Sequence, residues 1–186
     1  MTDRPTDPAR GYGTTARVLH WLVAALIVPM IGVGLLMVRP GLERPLGDAL
    51  YLFHKNVGSL LIVLVALRLV WRLTHPPAPL PAAMPAWRRR AAGLSHGALY
   101  ALMVVMPLSG YVRVRAGGFP IEALDAMGLP ALIPRSKALA DAASSLHQAA
   151  GWALIAVVVL HVGAAAHHAL IRRDGIWRRI WPPRAR

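Results

Sequence analysis

Long apolar runs separated by short polar, proline-rich and arginine-rich segments dominate the pattern along this chain. Four of the runs, residues 16–38, 50–73, 94–114 and 144–171, are long enough to cross a hydrocarbon core about 30 Å thick, which takes roughly 20 helical residues. Inside that core the backbone polar groups find no water, so each run satisfies them as a helix. Pro107 and Gly110 interrupt the third run, and membrane helices tolerate both. The proline-rich residues 75–85 read as a loop. Residues 115–143 form the longest connection, carrying Gly117, Gly118, Pro120, Gly128, Pro130 and Pro134, with a short helix expected near its end. No internal repeat or second domain is evident. Residues 1–186 are therefore read as one all-α, integral membrane four-helix bundle.

Composition sharpens this reading. The chain is 56% hydrophobic and 16% charged with mean hydropathy +0.47, whereas soluble domains carry about 25% charged residues. The net charge of +13 first suggests nucleic acid. The basic residues, however, flank the apolar runs instead of covering one face, so they read as membrane-flanking and nucleic acid is set aside. Arg4, Arg10, Arg17, Arg68, Arg72, Arg88, Arg89, Arg90, Arg172, Arg173, Arg178, Arg179, Arg184 and Arg186 fall on one side of the bundle. Arg39, Arg44, Lys55, Arg113, Arg115, Arg135 and Lys137 fall on the other. Fourteen against seven places both termini in the cytoplasm. A cleavable signal peptide is not expected, because the polar start leads into an apolar run too long for an h-region. The absence of cysteine excludes thiolate metal sites, iron–sulfur clusters and covalent haem attachment.

Four histidines, His20, His54, His147 and His161, lie well inside the apolar runs, where an ionisable side chain is a functional candidate. One such histidine alone reads equally as a helix–helix hydrogen-bonding group. The set has more order than that. His147 and His161 are fourteen residues apart, so on a helix they share a face within roughly 40° and lie about 21 Å apart along the axis. Leu154 and Val158 fill the stripe between them. Chain direction puts His20 level with His161 on the cytoplasmic side and His54 level with His147 on the outer side. Two cross-helix pairs at two depths are what two bis-histidine haems require. Zinc needs four ligands converging on one point and is disfavoured. Gly58 and Gly151 each follow a histidine by four residues, where a missing side chain admits a flat macrocycle; helix packing is the other reading of each.

Several stretches resemble the bacterial cytochrome b561 family: residues 16–21 (ARVLHW), His54 with Gly58 and residues 68–73 (RLVWRL), residues 107–110 (PLSG), His147 with Gly151, and His161 with residues 164–168 (AAAHH). The resemblance runs from about residue 13 to the tail. It implies two haem b groups on His20/His161 and His54/His147, in a multi-pass protein of the bacterial inner membrane. It further implies either a superoxide oxidase passing electrons to ubiquinone, or a cytochrome b subunit joining a partner dehydrogenase to the quinone pool. With both axial positions filled, electron transfer at the haem edge is the expected chemistry. Lys55, Arg113, Arg115, Arg135 and Lys137 are candidates for a funnel drawing an anionic substrate to the outer haem, interfacial snorkelling being the other reading of each. His168, seven residues after His161, is the quinone candidate, while His167 points off that stripe. Arg68, fourteen residues after His54, suits a haem propionate or the quinone rim. His75 and His96 have no depth-matched partner and read as structural. A proton path lined by histidines is a third class, one without haem. The tryptophans read as an interfacial belt.

Overall fold

A computed structural model describes residues 11–81 and 84–181; Arg4, Arg10, Arg184 and Arg186 lie outside the described residues. The chain is all-helical, and four helices are long and apolar enough to cross a membrane: α1 (Thr14–Leu36), α2 (Arg44–Thr74), α3 (Ala86–Ala116) and, after the short α4 (Glu122–Ala126), α5 (Lys137–Ala166). Pro29 and Pro107 sit inside α1 and α3 without ending them. Pro45 lies in the first turn of α2, where its missing N–H costs nothing.

Several boundaries differ from the expectation: α2 starts six residues and α3 eight residues before the predicted spans. Ser136 caps α5, its hydroxyl accepting the Leu139 N–H at 3.3 Å, so α5 starts seven residues before the predicted span. The helix expected near the end of the long connection is thus the first turns of α5, whereas the separate helix α4 comes earlier. From His167 to Arg172 the last helix widens into a π-helix, closed by Arg173 at φ 50° and Gly175 at φ 80°.

α5 packs most closely on α3, α1 packs on α2, and α2 joins the two pairs through α3. α5 makes no comparable backbone approach to α1 or α2, which leaves a slot between the pairs. Val23, Met30, Leu61, Val65 and Met103 form the small core. Val28, Val63, Leu160 and Val162 are each more than half exposed, an apolar exterior suited to lipid.

The two ends of the bundle are closed differently. At the terminal end the Tyr12 N–H donates to the Arg179 carbonyl (2.7 Å), Arg179 Nη2 donates to Ala78 (2.5 Å), and Trp21 Nε1 donates to Ile180 (3.1 Å). Trp21, Trp177 and Trp181 cluster there, so these three tryptophans do more than line a belt. At the loop end, Ile121 is 1% exposed and anchors α4. Lys55 Nζ meets Glu122 (2.7 Å) and the Pro120 carbonyl (2.9 Å), Asn56 bonds both Glu122 and the Ala123 N–H, and Arg115 pairs with Asp125 (2.5 Å).

This docking is pH-sensitive. Burial works to raise the Glu122 carboxyl, but the hydrogen bonds from Lys55 and Asn56 outweigh it and hold it below its ordinary 4.5. The hydrogen bond from Arg115 holds Asp125 below its ordinary 3.8. Both shifts are downward, so their contribution is complete above the ordinary values and is lost as pH falls through the lowered ones. Hydrogen exchange in residues 117–136, corrected for its intrinsic pH dependence, should therefore accelerate below about pH 4. In a chain carrying Glu122→Gln and Asp125→Asn it should already be fast at neutral pH and change little on acidification.

Candidate functional site

Each histidine within the apolar runs meets a partner across the slot. The ring centres of His54 (α2) and His147 (α5) are 6.2 Å apart at the loop end, and those of His20 (α1) and His161 (α5) are 6.4 Å apart at the terminal end. Two imidazoles in line on one metal, with bonds of about 2 Å and about 1.2 Å from nitrogen to ring centre, would stand about 6.4 Å apart. Among the described residues no three of His, Cys, Asp or Glu are grouped to hold a metal ion themselves. Each facing pair therefore offers two imidazoles and no third such side chain.

The loop-end surroundings fit such a group. His147 Nδ1 lies 3.0 Å from the Met106 carbonyl and 3.1 Å from Ser109 Oγ. A carbonyl only accepts, so Nδ1 carries the proton and the Nε2 lone pair is free for a metal. His54 Nδ1 is buried without a hydrogen-bond partner among the described residues. The slot here widens into a cavity of about 1270 Å³ lined by His54, His147, Met30, Gly34, Met106 and Gly110, larger than the roughly 300–1,000 Å³ usual for small ligands.

Gly58 and Gly151, expected to admit a flat macrocycle, both line this cavity. A Cβ on Gly58 or Gly151 would meet only a methionine methyl, Met30 or Met106, at 3.7 Å, an ordinary contact. The tight positions are Gly34 on α1, where a Cβ would lie 3.2 Å from His54 Cε1, and Gly110 on α3, where it would lie 3.1 Å from His147 Cε1. The same interlock thus occurs twice. A Met and a Gly four residues apart on one helix (Met30/Gly34, Met106/Gly110) grip a His and a Gly four residues apart on the next (His54/Gly58, His147/Gly151). This corrects the expectation of no repeat. Only axis-facing side chains recur, so the repeat hides among unrelated lipid-facing residues.

At the terminal end, Arg68 Nη2 lies 3.0 Å from His20 Nδ1. Arginine only donates, so this contact puts the ring proton on Nε2. A metal at Nε2 would instead leave the proton on Nδ1, and Arg68 would have to turn away, free to meet an anion. Arg68 also stacks over Tyr100 at 5.7 Å. His96, expected to be unpartnered, has its ring 5.4 Å from that of His161. The signal was present: α3 packs on α5, and His96 precedes Met106 by the same ten residues that separate His20 from Met30. His75 stacks on Trp71 at 3.8 Å. His168 Nδ1 pairs with Asp174 at 2.6 Å, and Arg172 shares that carboxylate. Because the π-helix begins at His167, α-helical spacing no longer fixes where His168 faces.

The five loop-end cations separate into two groups. Lys55 and Arg115 are engaged with Glu122 and Asp125, and Lys137 pairs with Asp141 on the exposed surface. Arg113 and Arg135 line the cavity and make no ion pair among the described residues.

A transmembrane four-helix protein with facing imidazole pairs at two depths is the class this geometry defines. The family model for prokaryotic cytochrome b561 matches residues 11–183, and the chain belongs to that family. It is 32% identical over 176 residues to cytochrome b561 homolog 2 of Escherichia coli (strain K12), covering 94% of this chain and 93% of the relative. It is 28% identical over 179 residues to cytochrome b561 homolog 1 of the same organism, covering 93% and 98%. The chain is accordingly a multi-pass bacterial membrane electron-transfer protein, and the family implies haem b.

Enlarging a tight glycine should matter more than enlarging a loose one. Gly110→Val should push the His147 ring aside and lower haem content by about half, whereas Gly58→Ala should leave it within about a tenth of the unsubstituted value. Haem quantification of the purified proteins checks this.

Proposed function

We propose that this chain is a dihaem b electron-transfer protein of the bacterial inner membrane, both termini cytoplasmic, acting as a superoxide:ubiquinone oxidoreductase. The observation that carries the reading is the pair of facing imidazole couples at two depths, each at the separation one iron requires. Haem b, held by the two histidine pairs, would supply a one-electron carrier with no need for substrate to reach the iron. His54 and His147 would hold the outer group and His20 and His161 the inner one, spanning the membrane in two stages.

In this reading two superoxide anions yield two dioxygen molecules and two electrons, and ubiquinone takes those electrons with two protons to become ubiquinol. Arg113 and Arg135, cavity-lining cations without an ion pair among the described residues, would supply the positive field that favours an anion. Arg68, once released from His20, would be free to meet a propionate or the quinone rim. His168, its Nδ1 held by Asp174, would offer its other ring nitrogen to a quinone carbonyl.

Purified protein with added ubiquinone should consume superoxide faster than spontaneous dismutation in stopped-flow measurements. Arg113→Leu with Arg135→Leu should slow this by roughly tenfold at low ionic strength and less at high salt. Decay at the spontaneous rate, with a soluble dehydrogenase co-purifying, would favour the alternative of a cytochrome b anchor subunit. Replacing His147 should remove one haem, and replacing either His20 or His161 should remove the other.

A further inference from the structure

A ligating histidine usually donates its second ring N–H to an acceptor that fixes the ring and strengthens its bond to the metal. His147 has that acceptor in the Met106 carbonyl on α3. His161, fourteen residues further along α5, makes no hydrogen bond among the described residues. The ring that faces it belongs to His96, ten residues before Met106 on the same helix, with centres 5.4 Å apart and planes at 70°. This edge-on approach suits one ring nitrogen donating to another. It occurs between the two helices that pack most closely.

We infer that His96 is the positioning residue of the inner iron site, accepting the Nδ1 proton of His161 as the Met106 carbonyl accepts that of His147. The inference rests on the proposed role of His161 as an axial ligand. His96 is not itself an axial ligand in place of His20. The 5.4 Å separation is short of the about 6.4 Å that two imidazoles on one iron need. The close packing of α3 on α5 leaves no slot for a macrocycle between them, whereas α1 stands off from α5. The spacing repeat supports the division of labour. His20 and His96 hold equivalent positions on α1 and α3, and Arg68 and His161 hold equivalent positions on α2 and α5. Within the first pair Arg68 reaches His20; within the second, His96 reaches His161.

Removing an acceptor makes the ligand a weaker donor, which favours the reduced iron. In the purified full-length protein, His96→Leu should raise one of the two haem potentials by about tenfold in the reduction equilibrium, about 59 mV for one electron. It should also shift one low-spin signal in electron paramagnetic resonance and leave the other haem unmoved. His96→Gln, which keeps an acceptor, should return both the potential and the signal most of the way to their unsubstituted values. Should His96→Leu lose a haem outright, retention of that haem by His96→Gln carries the same conclusion. Unchanged potentials and signals in His96→Leu, or a glutamine variant indistinguishable from the leucine one, would overturn the inference. Haem quantification on the unsubstituted chain separates it from the dihaem reading. One haem that is lost with His161→Ala sinks only the dihaem reading and becomes the haem on which His96 is judged. One haem that survives His161→Ala sinks both.

Discussion

On the proposed dihaem reading, two imidazole rings must stand about 6 Å apart across a slot that neither collapses nor fills with lipid, and most of this structure would follow from that requirement. Helices in a bilayer gain nothing hydrophobic by approaching one another, because lipid tails are as apolar as leucine. Separation therefore has to be built from shape. Here α1 with α2 and α3 with α5 form two close pairs, α2 and α3 join them, and α5 is kept away from α1. Gly34 and Gly110 let each loop-end ring tuck beside its neighbouring helix, and the flexible Met30 and Met106 fill the remaining space next to Gly58 and Gly151.

The two ends then hold the slot in different ways. At the loop end, Lys55 follows His54 directly in the chain and is tied to Glu122, so the clamp on α4 also restrains the helix that carries His54. Such partly exposed ion pairs are each worth only about 0–1 kcal/mol. It is their convergence with the buried Ile121 that makes the anchor. At the terminal end the closure is aromatic. Trp21, next to His20 in the chain, packs on Trp181 and Trp177 and donates to Ile180, bringing the last turn of the chain against the first helix.

Much of this architecture was legible in the sequence, for physical reasons that also mark its limits. The spans could be read because twenty apolar residues have few other uses, and the pairing of His20 with His161 and His54 with His147 followed from depth alone. What could not be read depends on contacts between helices. Gly58 and Gly151 drew attention by their spacing, yet the glycines under steric pressure are Gly34 and Gly110, which lie on the helices opposite the rings. His96 looked solitary because its neighbour is set by the packing of α3 on α5. Lys55 and Arg115 looked like free cations because their carboxylates, Glu122 and Asp125, sit in a connection whose separate helix comes earlier than expected. His168 was placed by α-helical arithmetic that stops where the backbone widens at His167.

The stand-off between α1 and α5 has a consequence for how the molecule is made. Each ring pair takes one member from the first hairpin and one from the final helix, so no pair exists until almost the whole chain has been synthesised. Until then α1 and α2 are a hairpin with unmatched imidazoles, and nothing in the backbone packing draws α5 towards them. A group bound between the pairs would supply that missing attraction, so cofactor insertion would be the last step of folding and not a decoration added after it. Cofactor supply would then set how much of the newly inserted chain survives quality control, through the same slot that defines its chemistry.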